Sequence, residues 1–547
     1  MHTMQQKIVN DRSRLLAVFL ALCLLVHIDV AAAATWLRAD THNFIIHSSG
    51  SEAQLRDYAA RIERFDGLLR KLFKVAPDPH PNRLTIYLLS GEDKVASAYG
   101  DSGGSVAGFY HPDPNGSFAV GHHEQSDSRY DLSGSSVLLH EYAHHFMFHN
   151  SAFAYPTWYV EGFAEYVSSA GFEADGSWTL GRPLQYRAYS LLNYAKALSL
   201  RDMLTKPGVE KGDLFYGKSW LLVHLLRNRP ERSKQFDSYL RALSQGKSPN
   251  EAAAAFGDLE NLDHELQRYM FGGMRYVRST DPLLYDPSIT VAALDPVHGR
   301  LLELDLARRN NRDLPRVRDS LARLAEDNPG LAEAWLALAQ VNFQLVGSAV
   351  ADDRATGDAA KSTEPAGKAR ESPEKTQARA AARAAAQIAV DKALALNPGL
   401  ARANVLKADV LADRLAMTKD YSPAAWREVR GLIIRANRAD TEDPVPLVRW
   451  FETYARMGSA PDQAARDGLT KAFLLEPEVP EVRIELAFDM AARGKFNEAI
   501  ALVEYLARDP HQGRTGTAVL AQLQKLRDAA SKPEPAKAQP AGQVGMR

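Results

Sequence analysis

A chain of 547 residues exceeds what one hydrophobic core usually accommodates, so two or more domains are expected. Hydrophobic residues make up 45% and charged residues 24%, the balance of an ordinary folded protein, which excludes a membrane-embedded or wholly disordered chain. Lys and Arg number 66 against 67 Asp and Glu, a formal net charge of -1, so no basic surplus exists to neutralise phosphates and nucleic acid is not an expected partner.

At the N-terminus, Lys7, Arg12 and Arg14 precede an apolar run over residues 15–26, and the alanines at 31–34 offer small side chains for cleavage. This is the pattern of a secretory signal over residues 1–34, with the mature chain starting near Ala34 or Thr35. The run stops at His27 and Asp29, short of the about 20 residues a bilayer span needs, so no stable membrane anchor is expected. The one cysteine, Cys23, lies inside this run behind Leu22, which is bulkier than a lipoprotein cleavage site favours. The mature protein then has neither a disulfide nor a thiolate, and any metal must be held by histidine and carboxylate. Export, to the periplasm of a bacterial cell, is the expected destination.

From Trp36 to about Leu89 the pattern reads strand, helix, strand: Phe44, Ile45 and Ile46, then an amphipathic stretch from Leu55 to Phe73, then residues 84–88. Two short strand-like runs follow, at 106–110 and 117–120, separated by a turn that contains Asn115 and Gly116, a strong hairpin signal. His122 and His123, beside Glu124, read as a pair in an exposed loop, with a second metal site or a substrate contact as the less favoured alternative, since adjacent loop residues rarely converge on one metal. From Ser135 the chain turns helical, with Ser135 or Ser136 as the N-cap. Sheet first and helices later predict an α+β domain over residues 35–290.

The second half has an internal period. Asp443-Pro444, Glu476-Pro477 and Asp509-Pro510 are spaced 33 residues apart, with two helical stretches between successive pairs. Asn328-Pro329, ahead of Trp335, and Asn397-Pro398, ahead of Leu406, begin similar units. This resembles the tetratricopeptide repeat, with its period of about 34 residues, and implies an all-α solenoid over residues 300–528. Such a solenoid serves either as a groove for a protein partner or as an extension that positions the first domain. Residues 350–375 lack large apolar side chains and read as a flexible insertion, and residues 529–547 as a disordered tail.

The chemistry is carried by His140-Glu141-Tyr142-Ala143-His144, an HExxH sequence. Residues at i and i+4 project from one helix face, so His140 and His144 can bind one zinc ion, while Glu141 reaches the bound water. Zinc lowers the pKa of that water, and the carboxylate can take its proton and pass it to a leaving amine. A third ligand is needed, and a second helical stretch containing Trp158, Glu161, Gly162, Ala164, Glu165 and Tyr166 begins a short connection downstream.

Residues 140–166 resemble the gluzincin clan of zinc metallopeptidases, thermolysin and the M1 aminopeptidases included, whose second motif has a ligand Glu on the helix after HExxH, and the match is close to the WxxEGxAxY form seen in aminopeptidases and related peptidase-MA-like bacterial proteins. The resemblance implies a zincin fold, Glu161 as third zinc ligand, and Glu165, one turn on, as a residue that orients a ligand histidine. It further implies that the segment with Val106, Ala107, Gly108 and Phe109 is an edge strand that pairs with extended substrate. Tyr216 is the candidate for stabilising the oxyanion, and core packing is its equally weighted alternative. Tyr186 and Tyr189 are weaker versions of the same case. His145 and His149 border the motif, but the helix turns them away from the ligand face, so they are expected to pack or to face solvent. His224 reads as core or surface.

No glycine-rich exopeptidase motif precedes the helix. The expectation is a secreted zinc metallopeptidase acting on peptide or protein substrates. The competing class is a catalytically inactive zincin-like scaffold whose repeats bind a partner.

Overall fold

The computed structural model describes residues 35–76, 82–100, 106–124, 133–151, 153–206, 209, 212–272, 274–355, 373–509 and 513–531. The expected signal over residues 1–34 and nearly all of the expected tail lie outside them. A mixed α/β region comes first and a helix-rich region follows.

Six strands form the main sheet: β1 (Leu37–Asp40), β2 (Phe44–Ser48), β3 (Leu84–Leu89), β4 (Phe109–His111), β5 (Phe118–His122) and β9 (Thr290–Ala293). Their order is β4-β5-β3-β2-β1-β9, which leaves β4 at one edge. β2, β3 and β5 run parallel, whereas β4 pairs antiparallel with β5, Phe109 opposite Val120. The expected hairpin is present, and Gly116 in its turn takes φ +105°, a value that side chains rarely adopt. Because β9 pairs with β1, the mixed region extends to Ala293. β6 (Gly171–Phe172), β7 (Trp178–Leu180) and β8 (Val277–Ser279) make a small second sheet.

The expected helix between β2 and β3 is α1 (Glu52–Phe73), opened by a capping box between Ser51 and Gln54. Its buried face, with Leu55, Ile62, Phe65 and Leu69, shares one core with Phe44 and Ile46 of the sheet. The same core takes in three helices: α2 (Gly134–Asn150), α3 (Thr157–Ser168) and α4 (Gly212–Asn228). The N-cap of α2 is Ser133, whose side chain accepts from the Ser136 amide, rather than Ser135 or Ser136. In a serine-rich run only backbone geometry selects the cap, and Ser133 alone holds the extended φ and ψ that a cap requires. β4 also starts later than expected, at Phe109 instead of Val106. A Cβ on Gly108 would stand 2.3 Å from Val137 Cγ1, so the chain passes tightly over α2 there before it can enter the sheet.

The other sheet face buries Trp36, Tyr87, Phe118 and Val120 against Leu306 of α5 (Pro296–Arg309), the first helix of the second region. Helices then follow one another to Ala530, each packed on the next. Asp443-Pro444 marks a helix start: Asp443 caps it and Pro444 occupies the first turn. The expected insertion at 350–375 is helical at both ends, since Ala332–Ala355 and Pro373–Leu396 are helices, and 356–372 lie outside the described residues. Both helices pack in one core outside the segment, through Trp335 and Val390 among others, and run on into it.

The turns of this region meet the mixed region one after another. Asn82 donates to the Glu442 carbonyl at 3.0 Å, Ser117 to Glu478 at 3.2 Å, and Thr157 to the Arg508 carbonyl at 3.0 Å. Arg508 returns a bond to the Ala154 carbonyl at 2.6 Å, and Tyr505 and Leu506 enter the main core. Among the described residues no helix is long and apolar enough to cross a membrane.

Gly162 sets the distance between α3 and α4, because a Cβ on it would lie 2.4 Å from the Ser219 carbonyl oxygen. Gly162→Ala is therefore expected to lower stability by about 1–3 kcal/mol through overpacking. Gly330→Ala, at a position open to solvent, should change it by less than about 0.5 kcal/mol, as chemical denaturation of both variants would show.

Candidate metal centre

α2 and α3 cross so that the HExxH histidines face the start of the second motif. His140 Nε2 lies 3.0 Å from His144 Nε2 and 3.2 Å from Glu161 Oε2, and His144 Nε2 lies 3.4 Å from the same carboxylate oxygen. The three donors converge as one group that could hold a metal ion. A tetrahedral ion bound at about 2.0–2.1 Å would space its donors about 3.3 Å apart, so the spacing fits without rearrangement. The second oxygen of Glu161 is buried without a hydrogen-bond partner, which also suits a carboxylate arranged for a cation.

The electrostatics fit the same purpose. Burial would raise the Glu161 carboxyl, but the imidazoles of His144 and His140 hold it well below the usual carboxylate range. Burial would likewise lower His140, but the Glu161 hydrogen bond and the charges of Glu165, Glu161 and Glu141 raise it to about 9. His140 and Glu161 thus face each other as an ion pair at 3.2 Å.

Glu165 lies on the far side of His140, its Oε1 3.4 Å from Nδ1, as expected for an orienting carboxylate. It is clamped in turn by two residues that the sequence motifs do not reveal. Arg187 reaches Oε1 at 2.5 Å and Oε2 at 3.3 Å, and the Tyr186 hydroxyl donates to Oε2 at 3.1 Å. Arg187 also pairs with Asp213, and its guanidinium lies 5.1 Å from the Tyr216 ring centroid. Tyr186 thus packs against the main core while its hydroxyl holds Glu165, and Tyr189 is exposed.

Tyr216 is half-buried at the wall of a cleft of about 600 Å³ that reaches His140 and Glu161, with His144 buried behind them, and its ring centroid lies 6.2 Å from that of His140. The charge of Glu161 and then burial push its phenol up, so it remains a hydrogen-bond donor at neutral pH. Glu141 lines this cleft with Oε2 free of any hydrogen bond among the described residues. Val106, Ala107, Gly108 and Phe109 line the opposite wall, though only Phe109 belongs to β4. Asn310 and Asn311, just past α5, add to the mouth of the cleft.

Tyr142, inside the motif, turns from the cleft to donate to Asp66 Oδ1 at 2.6 Å; Asp66 also accepts from Arg70 at 2.6 Å, and both are buried on α1. This bond fixes the rotation of α2 and hence the aim of His140 and His144. His224 is core, with its ring between the Gly181 carbonyl and the Tyr269 hydroxyl, each at 2.8 Å. His122 is buried at the end of β5 and His123 is half-buried, so they are not an exposed loop pair. His145 and His149 do turn from the ligand face; the buried His145 ring packs against Tyr110 and Tyr142, and both histidines also meet Glu478, which the sequence does not reveal.

The raised His140 implies a pH dependence with a definite sign. The imidazole holds its proton up to about 9 in the ion-free site, so ion uptake at neutral pH should release about one proton. Apparent affinity should fall by about tenfold for each pH unit as pH drops below that value. Calorimetric titration in buffers of different ionisation enthalpy would measure the release. No protein-family model matches this chain, and a search of the curated proteins finds no match.

Proposed function

We propose that the chain is a zinc-dependent metallopeptidase of gluzincin type, with a zincin fold in its mixed region. The observation that carries the reading is the convergence of His140, His144 and Glu161 to within 3.0–3.4 Å of one another, with Glu141, whose Oε2 has no hydrogen bond among the described residues, lining the same cleft. The donor set is all nitrogen and oxygen, which suits zinc, and the cleft leaves room for water and a peptide. Bound there by His140, His144 and Glu161, zinc would acidify water and polarise the scissile carbonyl.

The remaining work falls to side chains. Glu141 accepts the proton of the attacking water and delivers it to the leaving amine. Tyr216 donates its phenolic hydrogen to the oxyanion that forms on the substrate. Glu165, held by Arg187 and Tyr186, keeps His140 in the tautomer and orientation that present Nε2. The free edge of β4 and residues 106–108 before it accept an extended peptide by strand addition. The repeat-like helices act as an extension that steadies this cleft, a role supported by their successive contacts with Asn82, Ser117 and Thr157.

The test pairs metal analysis with hydrolysis of a diverse peptide library. Glu141→Gln is expected to keep its zinc and lose about 10²–10⁴-fold in turnover. Tyr216→Phe should lose about 10²–10³-fold in kcat with little change in metal content. Absence of zinc from Glu141→Gln and wild type alike would overturn the reading, as would undiminished cleavage by Glu141→Gln.

A further inference from the structure

α2 carries a second histidine pair at i and i+4, His145 and His149, five residues along the helix from the first and so turned from it by roughly 140°. Both rings point their Nδ1 atoms at Glu478, in the turn between the helices Gln463–Leu475 and Pro480–Ala492. His149 Nδ1 lies 2.9 Å from Glu478 Oε2, and His145 Nδ1 lies 3.8 Å from Oε1. One donor atom from each residue falls within 4.8 Å of the others. The two distances bracket the about 3.3 Å that separates donors around a tetrahedral ion.

The surroundings are those of a closed site. His145 and Glu478 are buried and His149 is half-buried. The Ser117 hydroxyl donates to Glu478 Oε1 at 3.2 Å, an outer polar contact of the kind that orients a metal ligand. The Tyr110 hydroxyl lies 3.0 Å from His145 Nδ1 and would yield that nitrogen to an ion. The ion pairs of Glu478 among the described residues are with these two histidines. Glu476, two residues earlier, is a second buried carboxylate, with Oε2 lacking a hydrogen-bond partner. Burial and the charge of Glu478 raise Glu476 to about 9, so it stays protonated and Glu478 is the charged carboxylate of the cluster.

We propose that His145, His149 and Glu478 form a second divalent-cation site, suited to zinc by its donors, that ties the helix bearing the HExxH sequence to the helical region. Its ligands come from the two regions of the chain, so ion binding and docking of those regions stabilise each other.

The test is metal analysis of the purified full-length protein equilibrated with low zinc, in the wild type and in Glu161→Gln, Glu478→Gln and the double variant. The expected contents are two, one, one and zero ions per chain. A second readout is thermal unfolding of the ion-stripped proteins: added zinc should raise the Tm of Glu161→Gln, whose second cluster is intact, and not that of the double variant. If Glu478→Gln fails to fold, the content and zinc response of Glu161→Gln still decide the matter. One ion in the wild type and none in Glu161→Gln would overturn the second site and leave the proposed peptidase centre standing. One ion in both, lost in Glu478→Gln, would support the second site and remove the first.

Discussion

The arrangement depends on how one helix distributes its side chains. Helix Gly134–Asn150 is buried along most of its length, and it advances roughly 100° with each residue, so its consecutive side chains serve different neighbours. His140 and His144 face Glu161; Leu138, Tyr142 and Phe146 face the main core; His145 and His149 face Glu478. A small rotation of this helix would misplace all three sets together. The bond from Tyr142 to Asp66, reinforced by Arg70, resists that rotation in an environment where an unmade hydrogen bond is costly.

A similar economy governs the charges. Glu161 and Glu165 are both buried, each 2% exposed or less, and each is matched to cations on a different side. Glu161 has the two imidazoles, and Glu165 has Arg187 as well as His140. Arg187 also lies against Tyr216 and pairs with Asp213 at the start of helix Gly212–Asn228. One guanidinium thus joins the group that orients His140 to the wall that carries the proposed oxyanion donor. The raised His140 and the depressed Glu161 follow from the opposite charges that face each other across that short distance, with His144 adding to the second and Glu165 to the first.

What the sequence makes legible is local. The i and i+4 spacing of His140 and His144, and of Glu161 and Glu165, places side chains on a helix face by geometry alone, and these four do meet. The hairpin before them is equally legible from Asn115-Gly116, although the close passage of Gly108 over Val137 shortens its first strand, which no local pattern signals. Arg187 escapes notice because it is 22 residues from Glu165, in a short helical turn without a motif, and only the fold brings them together. Glu478 is the extreme case, 329 residues from His149. The proline period does point to the turn that holds Glu478, but nothing in a repeat pattern says which edge of the helical stack faces a neighbour.

That edge has a consequence for how such a protein can change. A stack of helical hairpins ordinarily gains or loses a unit cheaply, since each unit touches only the next. Here the turns at Glu442, Glu478 and Arg508 are matched to fixed points at Asn82, Ser117 and Thr157. Removing one unit would shift every later turn by a unit's width and leave buried polar groups facing the wrong partners. The stack behaves as a key cut to one lock, with its number of units as constrained as any active-site residue, while sequence on its opposite edge is free to drift.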